Sequence, residues 1–409
     1  MCPYRGGLLA ILSASASLLP CVAMAQSSDK PERSTENEGA EIVVTAQKRS
    51  ESVQRVPIAV AVATGETLAS TGATGIGSLK VALPNVEVSN NVGYILPLIR
   101  GVGSKVSQAG LESPNAIYVD GVYYASTTST LLSFSNISQV EVLKGPQGTL
   151  FGRNATGGLI QITTRDPSHT PGGNMSFTVG NYGALGMSGY VTGGISDKIA
   201  GDLAFQTSAM GDGYGTNLFN GRDVGRVQHD FGVRTKWLFE PGETTSIRLL
   251  ADYSDHLGSD NVQRYPSGAA FPPGFGPVYT ARPWDTDVDR QPRLRTKTGG
   301  VSLRIDQDIG NLTLRSITAW RRTIFHSSFD ADYSETFVRY TDIDQHDRQF
   351  SQELELQSPA ENRFSWTIGG YYFNSAGQYF PIGQILGPNG VARSETFTKQ
   401  TAKSIAGFG

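Results

Sequence analysis

From Gly172 onward the chain reads in steps of two. Phe231, Val233, Thr235, Trp237 and Phe239 share one face of an extended segment, while Gly232, Arg234, Lys236, Leu238 and Glu240 share the other. Ile247, Leu249, Ala251 and Tyr253 stand likewise against Ser246, Arg248, Leu250 and Asp252, and Phe364, Trp366 and Ile368 against Ser365 and Thr367. Successive strand residues point to opposite faces, so one apolar and one polar face imply an antiparallel sheet between two different surroundings. A soluble β-protein and a membrane barrel share that period.

Connection lengths separate the two. The pattern predicts about ten strands, near 173–182, 185–195, 199–212, 226–239, 244–255, 294–308, 311–326, 342–357, 362–376 and 398–409. Ser196-Asp197-Lys198, Pro241-Gly242-Glu243, Ile309-Gly310-Asn311 and Pro359-Ala360-Glu361 are tight turns, and the segments around 213–225, 256–293, 327–341 and 377–397 are long. After the first turn, short and long alternate, as in outer-membrane barrels with short periplasmic turns and long extracellular loops. The expectation is therefore an antiparallel transmembrane β-barrel over 172–409.

Composition narrows the classes further. No run of about 20 apolar residues follows the N-terminus, which excludes a helical membrane protein but not a barrel. Net charge is −3, so the basic footprint of a nucleic-acid binder is missing. Both cysteines, Cys2 and Cys21, lie in the first 25 residues. That stretch carries Arg5, an apolar run from Leu8 to Leu19 and Ala23-Met24-Ala25, the layout of a signal peptide over 1–25. No disulfide or thiolate metal site is then expected in the mature chain.

Ahead of the alternating region stands Ile137–Pro167, ISQVEVLKGPQGTLFGRNATGGLIQITTRDP. Val140, Val142 and Leu143 form a short β-type run, glycines and Pro146 turn the chain, and Leu159, Ile160 and Ile162 start a second strand. The run from Val140 to Thr164 resembles the signature that closes the plug domain of TonB-dependent outer-membrane receptors, with Lys144 where the family usually has Arg. Leu98-Ile99-Arg100-Gly101 and Tyr118-Val119-Asp120-Gly121-Val122 resemble recurrent motifs of the same domain. The resemblance implies an α/β plug over 50–165, with a strand from Val56, short helices within 67–75 and 76–83, and strands at 98–101 and 116–122. Since a plugged transporter barrel needs about 22 strands for its lumen, the resemblance also implies that the barrel over 172–409 is incomplete at about ten of about 22 strands.

Residues 26–49 are largely polar and aperiodic, which predicts a flexible periplasmic segment. Within it Glu41, Ile42, Val43, Val44, Thr45 and Ala46 form a brief β-branched run. Read alone it is the first strand of the next domain. By resemblance it is the TonB box, which would bind TonB by strand addition. Fifteen residues before it are too few for an additional signalling domain.

The chain contains no His-Glu-x-x-His, nucleophile elbow, phosphate loop or clustered metal ligands, so neither catalysis nor a cofactor is expected. Ser351, Glu353, Glu355 and Gln357 share a strand face opposite Phe350, Leu354 and Leu356. By resemblance, Arg100 and Lys144, with Arg153 in reserve, would pair with Glu353 and Glu355 to hold the plug; solvation of the lumen is the alternative role for these glutamates. Tyr94, Tyr123, Tyr124, Tyr265, Phe271, Phe275 and Trp284 offer aromatic surface to a ligand or to outer-membrane lipid. The resemblance implies active uptake of a scarce small molecule, most often a ferric siderophore, with haem, cobalamin and oligosaccharide as minority substrates. A passive plugged porin, a surface adhesin and a periplasmic soluble β-protein are the rival classes.

Overall fold

The structure is a computed structural model that describes residues 43–45, 48–49, 51–73, 75–128, 136–152, 154–263, 282–335, 337–360, 362, 364–386 and 392–409. The expected leader, together with Glu41, Ile42, Ala46 and Arg153, lies outside them. The inner domain begins with two short strands, β1 (Val43–Val44) and β2 (Glu51–Ser52), paired antiparallel. Strand β3 (Val60–Thr64) starts four residues later than Val56, because Pro57 offers no N–H to a ladder. Helix α1 (Gly65–Ser70) is capped by Thr64, whose hydroxyl accepts from the Thr67 N–H at 3.2 Å. A 3₁₀ turn (Ile76–Ser78) leads into α2 (Leu79–Ala82).

Next come β4 (Val86–Asn91) and β5 (Tyr94–Ile99), a hairpin, and then β6 (Asn115–Val119), β7 (Val122–Tyr123) and β8 (Ile137–Lys144). Helix α3 (Gly148–Phe151) occupies the glycine-bearing turn before β9 (Gly158–Thr164). These elements build a five-stranded sheet in the order β3-β8-β9-β6-β7, with β6 and β9 parallel. Val140, Val142, Ile160 and Ile162 are fully buried on one side, Leu143 and Leu159 on the other. A sheet covered on both faces needs near-continuous apolar strands, which accounts for V-E-V-L and G-L-I-Q-I. Asp120 and Gly121 take φ of +48° and +83° in the turn from β6 to β7, and the Asp120 carboxylate accepts from the Thr164 N–H at 2.9 Å.

The second sheet is an antiparallel meander. Its strands are β10 (Gly172–Gly180), β11 (Ala184–Ser196), β12 (Ile199–Ala209), β15 (Val227–Gly242), β16 (Thr245–Gly258), β17 (Arg293–Ile309), β18 (Leu312–Asp330), β19 (Arg339–Gln357) and β20 (Thr367–Leu386). Strands β13 (Gly215–Asn217) and β14 (Arg222–Val224) form a small hairpin in one long connection. β21 (Ala392–Thr396) and β22 (Lys399–Phe408) pair with successive parts of β20, so together they complete a tenth position. Two boundaries differ from the sequence reading: β20 begins at Thr367 rather than 362, and it runs on to Leu386 through much of what reads as a long loop.

The alternation sorts as its chemistry requires. Leu249, Val301, Trp320, Leu354 and Ile368 point outward and stay exposed, whereas Arg234, Lys236, Arg321, Gln349, Glu353 and Glu355 point inward and are buried. What buries them is the inner domain. Ile317 and Ala319 of β18 join its first core, Phe373 of β20 joins the second, and Leu294, Phe325, Ile343 and Tyr379 pack with Val92, Tyr94 and Leu96 of the β4–β5 hairpin. At that hairpin's tip, Gly93 has φ +100°, and an added Cβ would stand 2.4 Å from Leu294 Cδ1 and 2.7 Å from Phe325 Cε2. Gly93→Ala combines that clash with a disfavoured backbone and should cost about 1–3 kcal/mol, read as a lower urea midpoint for release of the hairpin in limited proteolysis. An unchanged midpoint would show that the tip does not anchor the inner domain.

Candidate functional site

Two regions of the interface carry chemistry, one at each end of the second sheet. At the end with the tight turns, β1 docks into the inner domain. Val44 is fully buried beside Val56, Leu143, Phe151 and Leu159, because β-branched side chains suit a pleated, covered surface. Thr45 donates through its backbone N–H to both Glu141 carboxylate oxygens at 3.1 Å, and through its hydroxyl to Oε1 at 3.1 Å. Gln139 Nε2 donates to Glu141 Oε1 at 2.7 Å and to the Val43 carbonyl at 3.1 Å, and Gln161 donates to the Thr45 hydroxyl. Burial pushes the Glu141 carboxyl above the usual carboxylate range, and the hydrogen bonds from Thr45 and Gln139 pull it back only in part.

Directly after β1, the chain is fastened to the sheet. Lys48 forms ion pairs with Glu353 and with Glu355, the latter at 2.9 Å, and its ammonium lies 4.2 Å from the Phe408 ring centre. Arg315 Nη1 and Gln357 Nε2 donate to the Lys48 carbonyl at 3.2 and 3.3 Å. Arg49 donates to the Thr367 hydroxyl at 2.9 Å and to the Trp366 carbonyl. Arg100 is exposed at a turn with φ +52°, and among the described residues neither it nor Lys144 forms an ion pair. The cation that meets Glu353 and Glu355 is Lys48, which reads in the sequence only as the charged flank of a β-run. Arg100 directly follows β5 and Lys144 ends β8, and linear spacing does not reveal which cation reaches β19.

At the opposite end, the aromatic candidates divide. Tyr94 is buried, donates to Gln345 Oε1 at 2.8 Å and packs on Phe325 with ring centres 5.0 Å apart. Tyr123 packs on Phe373, and Tyr124 lies 3.8 Å beneath the Arg321 guanidinium, which is held bidentate by Asp252 at 2.6 and 2.8 Å. These three tie the inner domain to the sheet rather than facing outward. Trp284 is 61% exposed and joins Tyr214 and Tyr182, at ring separations of 5.8 and 5.1 Å, in an open aromatic surface. Tyr265, Phe271 and Phe275 lie outside the described residues.

The family of TonB-dependent receptor plug domains matches residues 52–159. This chain carries a TonB-dependent receptor plug domain. It is 34% identical over 184 residues to the pesticin receptor of Yersinia pestis, covering 44% of this chain and 24% of that one. It is 28% identical over 239 residues to the catecholate siderophore receptor Fiu of Escherichia coli K12, covering 54% and 29%. The ferric yersiniabactin uptake receptor FyuA from Yersinia pestis superposes with a TM-score of 0.73 at 20% identity, over 86% of this chain and 53% of that one. The ferric-catecholate import receptor Fiu from E. coli K12 superposes at 0.65 and 18% identity, over 90% and 59%. The chain thus spans about a quarter of the curated relatives and about half of the solved ones. Its inner domain matches a plug, and its second sheet has the fold of a section of the β-barrel wall in those solved receptors. The relatives are receptors, which points away from catalysis.

Two outcomes follow from this geometry. Because the Glu141 carboxyl is raised while Thr45 covers it, docking of β1 takes up proton. It should be strongest below the ordinary glutamate pKa of about 4.3 and weaken as pH rises through the raised value. The rate of thiol labelling at Val44→Cys, divided by that at Asn311→Cys in an exposed turn so that the common rise in thiolate with pH cancels, should accordingly increase from pH 4 toward about pH 7, and Glu141→Gln should flatten that ratio; a ratio the glutamine variant leaves intact would remove Glu141 from the contact. Separately, Lys48→Met leaves buried Glu353 without its cation and Glu355 with only Arg315 at 3.7 Å, and should cost about 3 kcal/mol. Hydrogen exchange at the Thr45 amide should rise by about two orders of magnitude, and unchanged protection would show that Lys48 does not fasten the segment.

Proposed function

We propose that the full-length receptor imports a ferric siderophore across the outer membrane, with TonB capturing residues 41–46 by strand addition and supplying the work. The observation that carries this reading is the placement of β1. It lies at the tight-turn end, bonded to the plug through Thr45 and Glu141 and followed at once by the barrel contacts of Lys48. A passive porin has no use for a short, detachable strand there. Its backbone would give TonB its affinity, which needs no particular side chains. The named relatives support the substrate class: one is a catecholate siderophore receptor and another a ferric yersiniabactin uptake receptor.

In this scheme the buried tyrosines, Tyr94, Tyr123 and Tyr124, report ligand arrival by shifting plug against barrel, while Trp284 with Tyr214 offers the first contact surface. Outer-membrane lipid surrounds the outward apolar face, and no cofactor takes part. A strain lacking the full-length gene should fail to grow on at least one ferric siderophore as sole iron source. Growth on every iron chelate, coupled with a defect on haem, cobalamin or an oligosaccharide, would move the substrate out of the siderophore class. Deleting residues 41–46 should abolish uptake and leave surface binding of the same iron chelate intact; uptake that persists would overturn the coupling role.

A further inference from the structure

Between plug and barrel, on the β1 side, lies a cavity of about 440 Å³ whose walls are charged. Lys48, Arg165, Lys236, Arg248, Arg304 and Arg315 line it, against the carboxylates of Asp120, Asp166, Glu353 and Glu355. Nothing in the folding of a barrel demands such a wall. Arg248 of β16 and Arg304 of β17 are direct cross-strand partners, an arrangement of like charges that lowers the stability of a sheet. Arg315, on the next strand, adds a third guanidinium to the same patch.

One wall carboxylate serves all three. Asp306 accepts from Arg248 at 3.1 Å, from Arg304 at 2.7 Å and from Arg315 at 2.6 Å. The plug contributes Asp166, which pairs with Arg248 and with the buried Lys236, each at 3.0 Å. Asp306, Asp166 and Glu355, which reaches Arg315 at 3.7 Å, offer about twelve acceptor positions, while the three guanidiniums bring about fifteen N–H donors. The patch is therefore rich in donors that its own acids cannot saturate, and planar forks of this kind match carboxylate and phosphate oxygens in pairs.

We propose that this cavity is an anion-binding vestibule, a transit site that takes small polyanions such as polycarboxylate or catecholate complexes between the plug and strands β15–β18. Its role in transit rests on the import reading above, whereas its preference for anions belongs to the wall itself. Arg248, Arg304 and Arg315 hold the oxygens, Lys236 adds charge at the plug side, and the half-exposed Asp166 exchanges with the arriving anion. Ser302 lies on the same wall, one turn of the pleat from Arg304.

The test uses the full-length receptor in detergent, with other cysteines replaced by serine, and Ser302→Cys as reporter. Two methanethiosulfonates of similar size, one bearing a sulfonate and one a trimethylammonium group, are compared on the same variant. Their rate ratio is normalised to that at Asn311→Cys, in an exposed turn. The sulfonate should be favoured by about tenfold or more, and adding Arg304→Gln should lower the ratio. A normalised ratio of one or below, or a cysteine that neither reagent reaches, overturns the proposal. Because both rates come from one folded variant, a general loss of structure shifts them together. A receptor that failed to import any iron complex would still show the ratio, so the two readings fail separately.

Discussion

The structure depends on the burial of a charged barrel face by the plug. Lys236, Arg321, Glu353 and Glu355 all point into the lumen and are almost fully covered. Charges taken from water are tolerable only when each meets an opposite charge or a hydrogen-bonding group with good geometry. The pairs Arg321–Asp252, Lys236–Asp166 and Lys48–Glu355 meet that demand, and two of the three cross from one domain to the other. The apolar contribution is local by comparison: Phe325 and Leu294 grip the β4–β5 hairpin, and Phe373 meets the second plug core.

The order of contacts along the chain gives the segment from Val43 to Arg49 its mechanical character. Val43 to Thr45 belong to the plug, Lys48 and Arg49 to the barrel, and Glu51 onward to the plug again. A pull applied at Val43 therefore loads Thr45 and Glu141 first and the barrel anchorage next, before it reaches β3. The two anchorages differ in kind. Glu141 is a buried carboxylate held by neutral donors, sensitive to protonation, while Lys48 is a cation shared by two acids and sensitive to salt only where water enters.

Much of this architecture was legible in the residues. The period of two, with Trp237 and Leu249 on one face and Lys236 and Arg248 on the other, placed nine of the ten wall positions within a few residues, because a strand face is a local property. The inward orientation of Glu353 and Glu355 followed from the same rule. β20 was misplaced at both ends, since Phe364 and Trp366 keep the alternation without a partner strand, and Gly377 and Gly383 look like loop but pair in the ladder.

The sequence by itself determined the fold class and the chemistry each strand face would carry, since alternation, glycine-marked turns and the V-E-V-L-K-G-P run are encoded within short windows of chain. Only the tertiary structure decided which charges meet. Lys48 is more than three hundred positions from Glu353 and Glu355, and Arg248, Arg304 and Arg315 become neighbours solely through the register of β16, β17 and β18. Pairing across such separations depends on how the plug is seated and on strand register, quantities that many side chains set together and that no single motif records.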